Sequence, residues 1–147
     1  MRIYIGTDHR GVELEKKLVE YLVDKDYEVI QTKLEHSDTD DYVDFAKEVA
    51  ENVVKDEGSR GILICRTGIG MSIAANKIKG IRAARCVSDE DAYLTRFDNN
   101  SNVLCIGYDT EFKKLVDIIN VFMNTKESSD ERHVRRVNKI IKLESGE

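Results

Sequence analysis

The chain has 147 residues, 41% apolar and 35% charged, which is enough to close one hydrophobic core without disulfides or a structural metal. Its net charge of -5 argues against a surface built to neutralise nucleic-acid phosphates. No stretch approaches the roughly 20 apolar residues that span a bilayer.

Short apolar runs alternate with helical patterns along the chain. Residues 3–6 read as a first strand, followed by Leu14, Leu18 and Leu22 at helical spacing. Residues 27–31 read as a second strand, and Phe45, Val49 and Val53 as the apolar stripe of the next helix. A third strand is expected over 61–65, a fourth over 83–87 and a fifth over 102–106. Phe112, Leu115, Ile119 and Phe122 then mark a long helix. The strands are short and show little polar alternation, as strands covered on both faces do. The order βαβαβαβαβα predicts a single α/β domain over 1–147, a Rossmann-like three-layer αβα sandwich around a five-stranded parallel sheet with right-handed crossovers.

The tail, over about 129–143, reads as one more helix. Ser128 and Glu131 have capping-box spacing, and Val134, Val137 and Ile141 form its apolar stripe. Turns rely on Gly, Asn and Asp, since the chain has no proline. The opening "MRIYIGTDHRG" lacks an apolar signal core, so a cytoplasmic protein is expected. The three cysteines, Cys65, Cys86 and Cys105, form no close pair and fit a reducing compartment. Cys86 and Cys105 read as core packing.

In open parallel sheets, ligands bind beyond the C-terminal strand ends. After the first strand stand Asp8 and His9, able to bind hydroxyls or phosphate or to move protons. Asp8 also suits the cap of the helix beginning near Arg10. After the third strand comes "CRTGIGMS". Gly68 and Gly70 permit a tight turn that presents backbone N–H groups, and the following helix start adds unpaired donors. Such a loop can cradle an anion, and its field favours a thiolate at Cys65. Arg132, His133 and Arg136 could clamp a phosphate, or simply form a solvated basic face. His36, within the acidic run "EHSDTDD", reads as part of a solvated surface loop without a role. Three histidines, no HExxH motif and no cysteine pair give no indication of a metal site.

Four segments resemble, in order and spacing, the ribose-5-phosphate isomerase B group, which includes the galactose-6-phosphate isomerase subunits. "IGTDHRG" is similar to its Asp-His-x-Gly opening. "DDYVDFA" is similar to its Asp-Tyr-Pro-Asp segment, with Val43 for proline. "RGILICRTGIGMSIAANKIKGIRAA" is close to the family core, and "ERHVRRVNKI" resembles its Arg-His-x-x-Arg-Val close.

The resemblance implies an aldose–ketose isomerase of phosphorylated sugars that works through an enediolate. Ribose 5-phosphate leads, and a 6-phosphohexose such as galactose or allose 6-phosphate is the alternative. Cys65 would move the proton between C1 and C2, while Thr67 and the N–H groups around Gly68 and Gly70 would stabilise the oxyanion. Asp8 would bind sugar hydroxyls, Asn99 would touch the sugar, and His9, Arg132 and Arg136 would hold the phosphate. No metal or organic cofactor is expected. Family sites lie between subunits, so a homodimer or dimer of dimers is expected, with the C-terminal helix reaching toward a partner subunit.

This chain departs from the family at three positions. Arg66 stands where the family usually has Gly, beside the base. Asp98 stands where the family has a ring-opening His, and a carboxylic acid serves there near neutral pH only if burial keeps it protonated. Asp109 stands where an Arg often contacts phosphate, a loss for which Arg10 and Arg66 could compensate. These departures leave room for a weakly active sugar-phosphate-binding homologue. "CRTGIGMS" also resembles the phosphocysteine loop of sugar phosphotransferase B components, although that loop follows a first strand and leaves Asp8, His9 and the basic tail unexplained.

Overall fold

The structure, a computed structural model, describes residues 1–146. Five parallel strands, β1 Arg2–Thr7, β2 Glu28–Gln31, β3 Arg60–Cys65, β4 Ala83–Arg85 and β5 Val103–Gly107, form one sheet in the order β2-β1-β3-β5-β4. The helices are α1 Val12–Asp24, α2 Tyr42–Lys55, α3 Ile69–Ala75, α4 Asp89–Asn99, α5 Phe112–Asn124 and α6 Glu131–Leu143. A single 3₁₀ turn, His9–Gly11, leads into α1.

The sheet sorts its side chains by parity. Ile62 and Ile64 of β3 join Ile3, Ile5, Leu104 and Ile106 in a core with Leu18 and Leu22 of α1 and Ile118, Ile119 and Phe122 of α5. Leu63 and Cys65 face the other way, into a core with Phe45, Val49 and Val53 of α2 and Met71 and Ala75 of α3. Both faces of the central strands are therefore covered, which is why their runs read as nearly continuous apolar segments.

From β1 the chain steps outward to β2, and from β3 it steps the opposite way to β4. The order reverses between β1 and β3, and in open parallel sheets the ends of such strands are where ligands bind. The loops carrying Asp8 and His9, and Arg66 to Gly68, leave the sheet there.

Three local expectations need correction. The fourth strand ends at Arg85 rather than at residue 87, because the chain turns into the Ser88 cap of α4, whose Oγ accepts from Asp91 N at 3.1 Å. The cap of α6 is Asp130, whose carboxylate accepts from Arg132 N at 2.8 Å; Ser128 instead accepts from Asp130 N. Of the apolar stripe on α6 only Val137 is buried, while Val134 and Ile141 stay exposed. Within the chain α6 packs on α4, and the Glu144 carboxylate accepts from Gly80 N at 3.0 Å.

Candidate active site

β3 ends on Cys65, which is 7% exposed. The chain then turns back through Gly68 at φ +85, a conformation that glycine adopts without strain. A Cβ there would also lie 3.1 Å from the Cys105 carbonyl. The turn carries the Gly68 N–H to Cys65 Sγ, at 3.1 Å. This N–H, expected to serve an oxyanion, is thus directed at the sulfur. Thr67 Oγ1 accepts from Ile69 N at 3.1 Å, which leaves the Thr67 hydroxyl hydrogen free to point elsewhere. Arg85 Nε donates to the Thr67 carbonyl at 2.9 Å and pins the loop from the β4 side. Gly70 is required by a close approach: a Cβ would lie 2.5 Å from the Tyr42 ring, which covers the start of α3. Tyr42 is a neighbour that chain pattern alone did not single out for this loop.

The first strand's loop leaves the sheet beside it. Thr7 pairs with Ile64, so Asp8 follows β1 where Cys65 closes β3. Asp8 Oδ1 accepts from Arg10 N at 3.1 Å, the capping role. His9 is fixed by Asp40, whose Oδ1 accepts from His9 N at 3.0 Å and lies 2.7 Å from His9 Nδ1. Asp40 Oδ2 lies 3.1 Å from His36 Nδ1 and accepts from Ser37 N at 3.2 Å. The reading of "EHSDTDD" as a solvated run without a role is therefore corrected: the Asp40 side chain is 7% exposed, and His36 stacks on Phe45 with ring centroids 4.7 Å apart. Burial would push the Asp40 carboxyl up, but the hydrogen bonds from His9 and His36 outweigh it and hold it well below the usual carboxylate range.

Arg66 extends into solvent beside Cys65, with Nε 3.2 Å from Asp109 Oδ2. Two of the three departures from the family pattern thus form one ion pair.

The remaining expected residues lie elsewhere in the chain. α4 runs from the C-terminal end of β4 to the N-terminal end of β5, so its last turn, with Asp98 and Asn99, stands at the opposite pole of the sheet. β3 alone, at about 3.3 Å per residue, separates the two poles by roughly 20 Å. α6 starts at this second pole: Ser128 N donates to the Phe97 carbonyl at 2.9 Å, and His133 Nε2 lies 3.6 Å from Asp98 Oδ1. Arg132 pairs with Asp130 at 3.4 Å, and Arg136 is exposed and makes no ion pair among the described residues. A cavity of about 140 Å³ there is lined by Phe97, Asp98, His133, Val137 and Ile141, among others. A larger one, about 580 Å³, opens nearby between Arg60, Arg82 and Arg96. Buried Arg96 ties this region together, donating to the carbonyls of Thr125 and Ser101. One chain thus gathers Cys65, Arg66, Thr67, Gly68, Gly70, Asp8 and His9 at one pole, and Asp98, Asn99, Arg132 and Arg136 at the other. Among the described residues no cluster of His, Cys, Asp and Glu is suited to hold a metal ion.

The sequence profile of the Ribose/Galactose Isomerase family matches residues 3–140. The chain belongs to this family. A probable ribose-5-phosphate isomerase B of Mycoplasma genitalium is 42% identical to this chain over 148 residues, covering 97% of this chain and 95% of that protein. The type B ribose 5-phosphate isomerase of Trypanosoma cruzi superposes with a TM-score of 0.93 at 38% identity, over 100% of both chains. The Mycoplasma genitalium enzyme with bound ribulose-5-phosphate gives 0.91 at 38% identity, over 99% of this chain and 97% of the other. The fold of the chain is therefore that of these enzymes over nearly its whole length.

Proposed function

We propose that the protein interconverts ribose 5-phosphate and ribulose 5-phosphate. The observation that carries this reading is Cys65 Sγ held 3.1 Å from the Gly68 N–H, at the strand ends where the sheet order reverses. In the open-chain aldose, the Cys65 thiolate takes the proton from C2, and the electron pair moves onto O1. The resulting enediolate is held by the Thr67 hydroxyl and by N–H groups of the first turn of α3, beside Gly70. The proton shifts from O2 to O1, and the Cys65 thiol returns its own proton to C1. The carbon proton changes place, no electron leaves the pair of molecules, and neither metal nor organic cofactor takes part in any step.

Asp8 binds sugar hydroxyls, and His9 holds the phosphate. Arg66 supplies a cation next to the base. Asp98, Asn99, Arg132 and Arg136 complete the pocket from a second copy of the chain, because within one chain they lie at the far pole. The exposed Val134, Ile140 and Ile141 of α6 support an assembly that covers them. The reading places the enzyme in the cytoplasm; among the described residues no helix is long and apolar enough to cross a membrane.

The test is an NMR or coupled assay of purified protein with ribose 5-phosphate, allose 6-phosphate and galactose 6-phosphate, with Cys65→Ala as control. Turnover of ribose 5-phosphate that collapses in Cys65→Ala supports the reading. Turnover of a hexose phosphate alone moves the substrate assignment to six carbons, for which the Arg66–Asp109 pair would be the structural reason. Saturable binding without turnover of any sugar defeats it.

A further inference from the structure

Asp40 is bound more completely than any surface carboxylate needs to be. Its Oδ1 accepts from His9 N at 3.0 Å and lies 2.7 Å from His9 Nδ1. Its Oδ2 accepts from Ser37 N at 3.2 Å and lies 3.1 Å from His36 Nδ1. Behind it, His36 stacks on Phe45 of α2, which is fully buried. The carboxylate is thus fixed to the core on one side and to the turn after β1 on the other. The Asp40 side chain is buried, while His9 keeps 28% of its side-chain surface. The other groups around the pair are Asp8 and Arg10 on the same turn, and Glu15 of α1, whose carboxyl senses the charge of His36.

This arrangement decides what His9 can offer an anion. Asp40 stays ionised, because its hydrogen bonds outweigh the effect of burial, and an ionised carboxylate oxygen only accepts. His9 Nδ1, 2.7 Å from it, therefore carries hydrogen. A neutral ring then has a bare lone pair on Nε2, which faces a phosphate oxygen with repulsion. A ring with hydrogen on Nε2 as well is an imidazolium, and its bond to phosphate is charge-assisted. We propose that Asp40 is a positioning residue that makes His9 hold the substrate's phosphate as an imidazolium, with Nδ1–H on Asp40 and Nε2–H on a phosphate oxygen. This inference rests on the isomerase reading and on the phosphate role that reading gives His9. The proton supplies a positive charge from the chain that carries Cys65, whereas Arg132 and Arg136 come from the second copy. An amide in place of the carboxylate removes the constraint. Its NH₂ group can donate to Nδ1, so a neutral ring presents Nε2–H, and the bond to phosphate loses its charge.

The test is an NMR titration of protein with isotope-labelled histidine rings, using glycerol 3-phosphate, a phosphate monoester with no carbonyl to isomerise. At pH 8 this probe is a dianion. The chain has three histidines, and the signals missing from His9→Gln identify those of His9. The expected wild-type complex has a His9 ring protonated on both nitrogens. Asp40→Asn is expected to bind the probe roughly tenfold or more weakly, with a bound ring protonated on Nε2 alone. Its KM for ribose 5-phosphate should rise by a similar factor while kcat changes less than about threefold. A merely structural Asp40 would weaken binding without changing the protonation of the bound ring. A singly protonated ring in the wild-type complex, a doubly protonated one in Asp40→Asn, or unchanged affinity in that variant overturns the inference, as does a wild type that binds no glycerol 3-phosphate. Should Asp40→Asn fail to fold, the ring signals of the wild-type complex decide alone. A wild type that converts no sugar phosphate defeats the isomerase reading and this inference with it; conversion together with a singly protonated bound ring overturns this inference alone.

Discussion

Arg66 Nε stands 3.2 Å from Asp109 Oδ2, joining the loop after β3 to the turn after β5. Each residue alone breaks the family pattern, one by adding a cation beside the base and the other by adding an anion near the expected phosphate. As a pair their charges cancel, and Arg66 is tethered to the turn after β5. Both side chains are more than half exposed, so the pair contributes little to stability, on the order of 0–0.5 kcal/mol. Asp109→Ala is therefore expected to leave urea midpoints almost unchanged. Its kinetic effect should be larger, since Arg66 is freed for phosphate: KM for ribose 5-phosphate falls, whereas Arg66→Ala raises it several-fold. A KM that rises in Asp109→Ala would mean that the carboxylate itself holds substrate.

Thiol chemistry should single out one cysteine. Burial pushes the Cys86 thiol up to about 12, with Asp91 adding to the shift, and pushes Cys105 well above its ordinary value. Both stay protonated and inert at pH 8, and thiols rather than thiolates react slowly. Cys65 is the cysteine at the end of β3, with the Gly68 N–H at its sulfur. Iodoacetamide at pH 8 should modify one residue per folded chain, identified by peptide mass spectrometry as Cys65, in step with loss of activity. A bound sugar phosphate should slow that reaction. Labelling of Cys86 at a comparable rate would mean that the core opens more readily than its packing indicates.

Glu15 carries a cost that substitution can remove. It is 3% exposed; Oε1 accepts from Gln31 Nε2 at 2.8 Å, and Oε2 is buried with no partner in the protein. Burial pushes its carboxyl up, partly opposed by Gln31 and the charge of His36. A carboxyl whose folded value is raised binds its proton more tightly folded than unfolded. The folded state therefore loses relative stability as pH rises from the unfolded value, about 4.3, through the raised folded one. Glu15→Gln should stabilise the protein at pH 8 by roughly 1–2 kcal/mol and have almost no effect near pH 4. Thermal melts at the two pH values give the comparison, and stabilisation that is larger at pH 4 would contradict the sign.

What the sequence disclosed follows from how local each cause is. Strand positions were legible because covering both faces of β3 and β5 demands unbroken apolar runs. The Cys65 loop was legible because an αL turn next to a carbonyl leaves no alternative to Gly68. Asp40 was not legible. An acidic run with a histidine reads as solvated surface, and only the fold brings His9 from the turn after β1 and Phe45 from α2 to either side of it. The cap of α6 failed for a smaller reason: Ser128 and Asp130 are both good capping residues, and Asp130 lies closer to the first turn. The division of the site between two poles was implicit in the βα alternation, which sends the end of every helix to the N-terminal edge of the sheet.

That division leads to a mixing experiment. If Cys65 of one copy works with Arg136 of another, Cys65→Ala and Arg136→Ala are each inactive or nearly so for different reasons. Co-expressed or refolded together at equal amounts, they form a mixed dimer in half of the assemblies. Such a dimer has one site with both lesions and one with neither, so about a quarter of wild-type activity should return, half the assemblies each having one of two sites intact. Neither protein alone should show it, and the recovered activity should track the mixed species on native mass spectrometry. If a single chain could fold Arg136 back to its own Cys65, every site would keep one lesion and mixing would restore nothing. The roughly 20 Å between the two poles makes recovery the expected result.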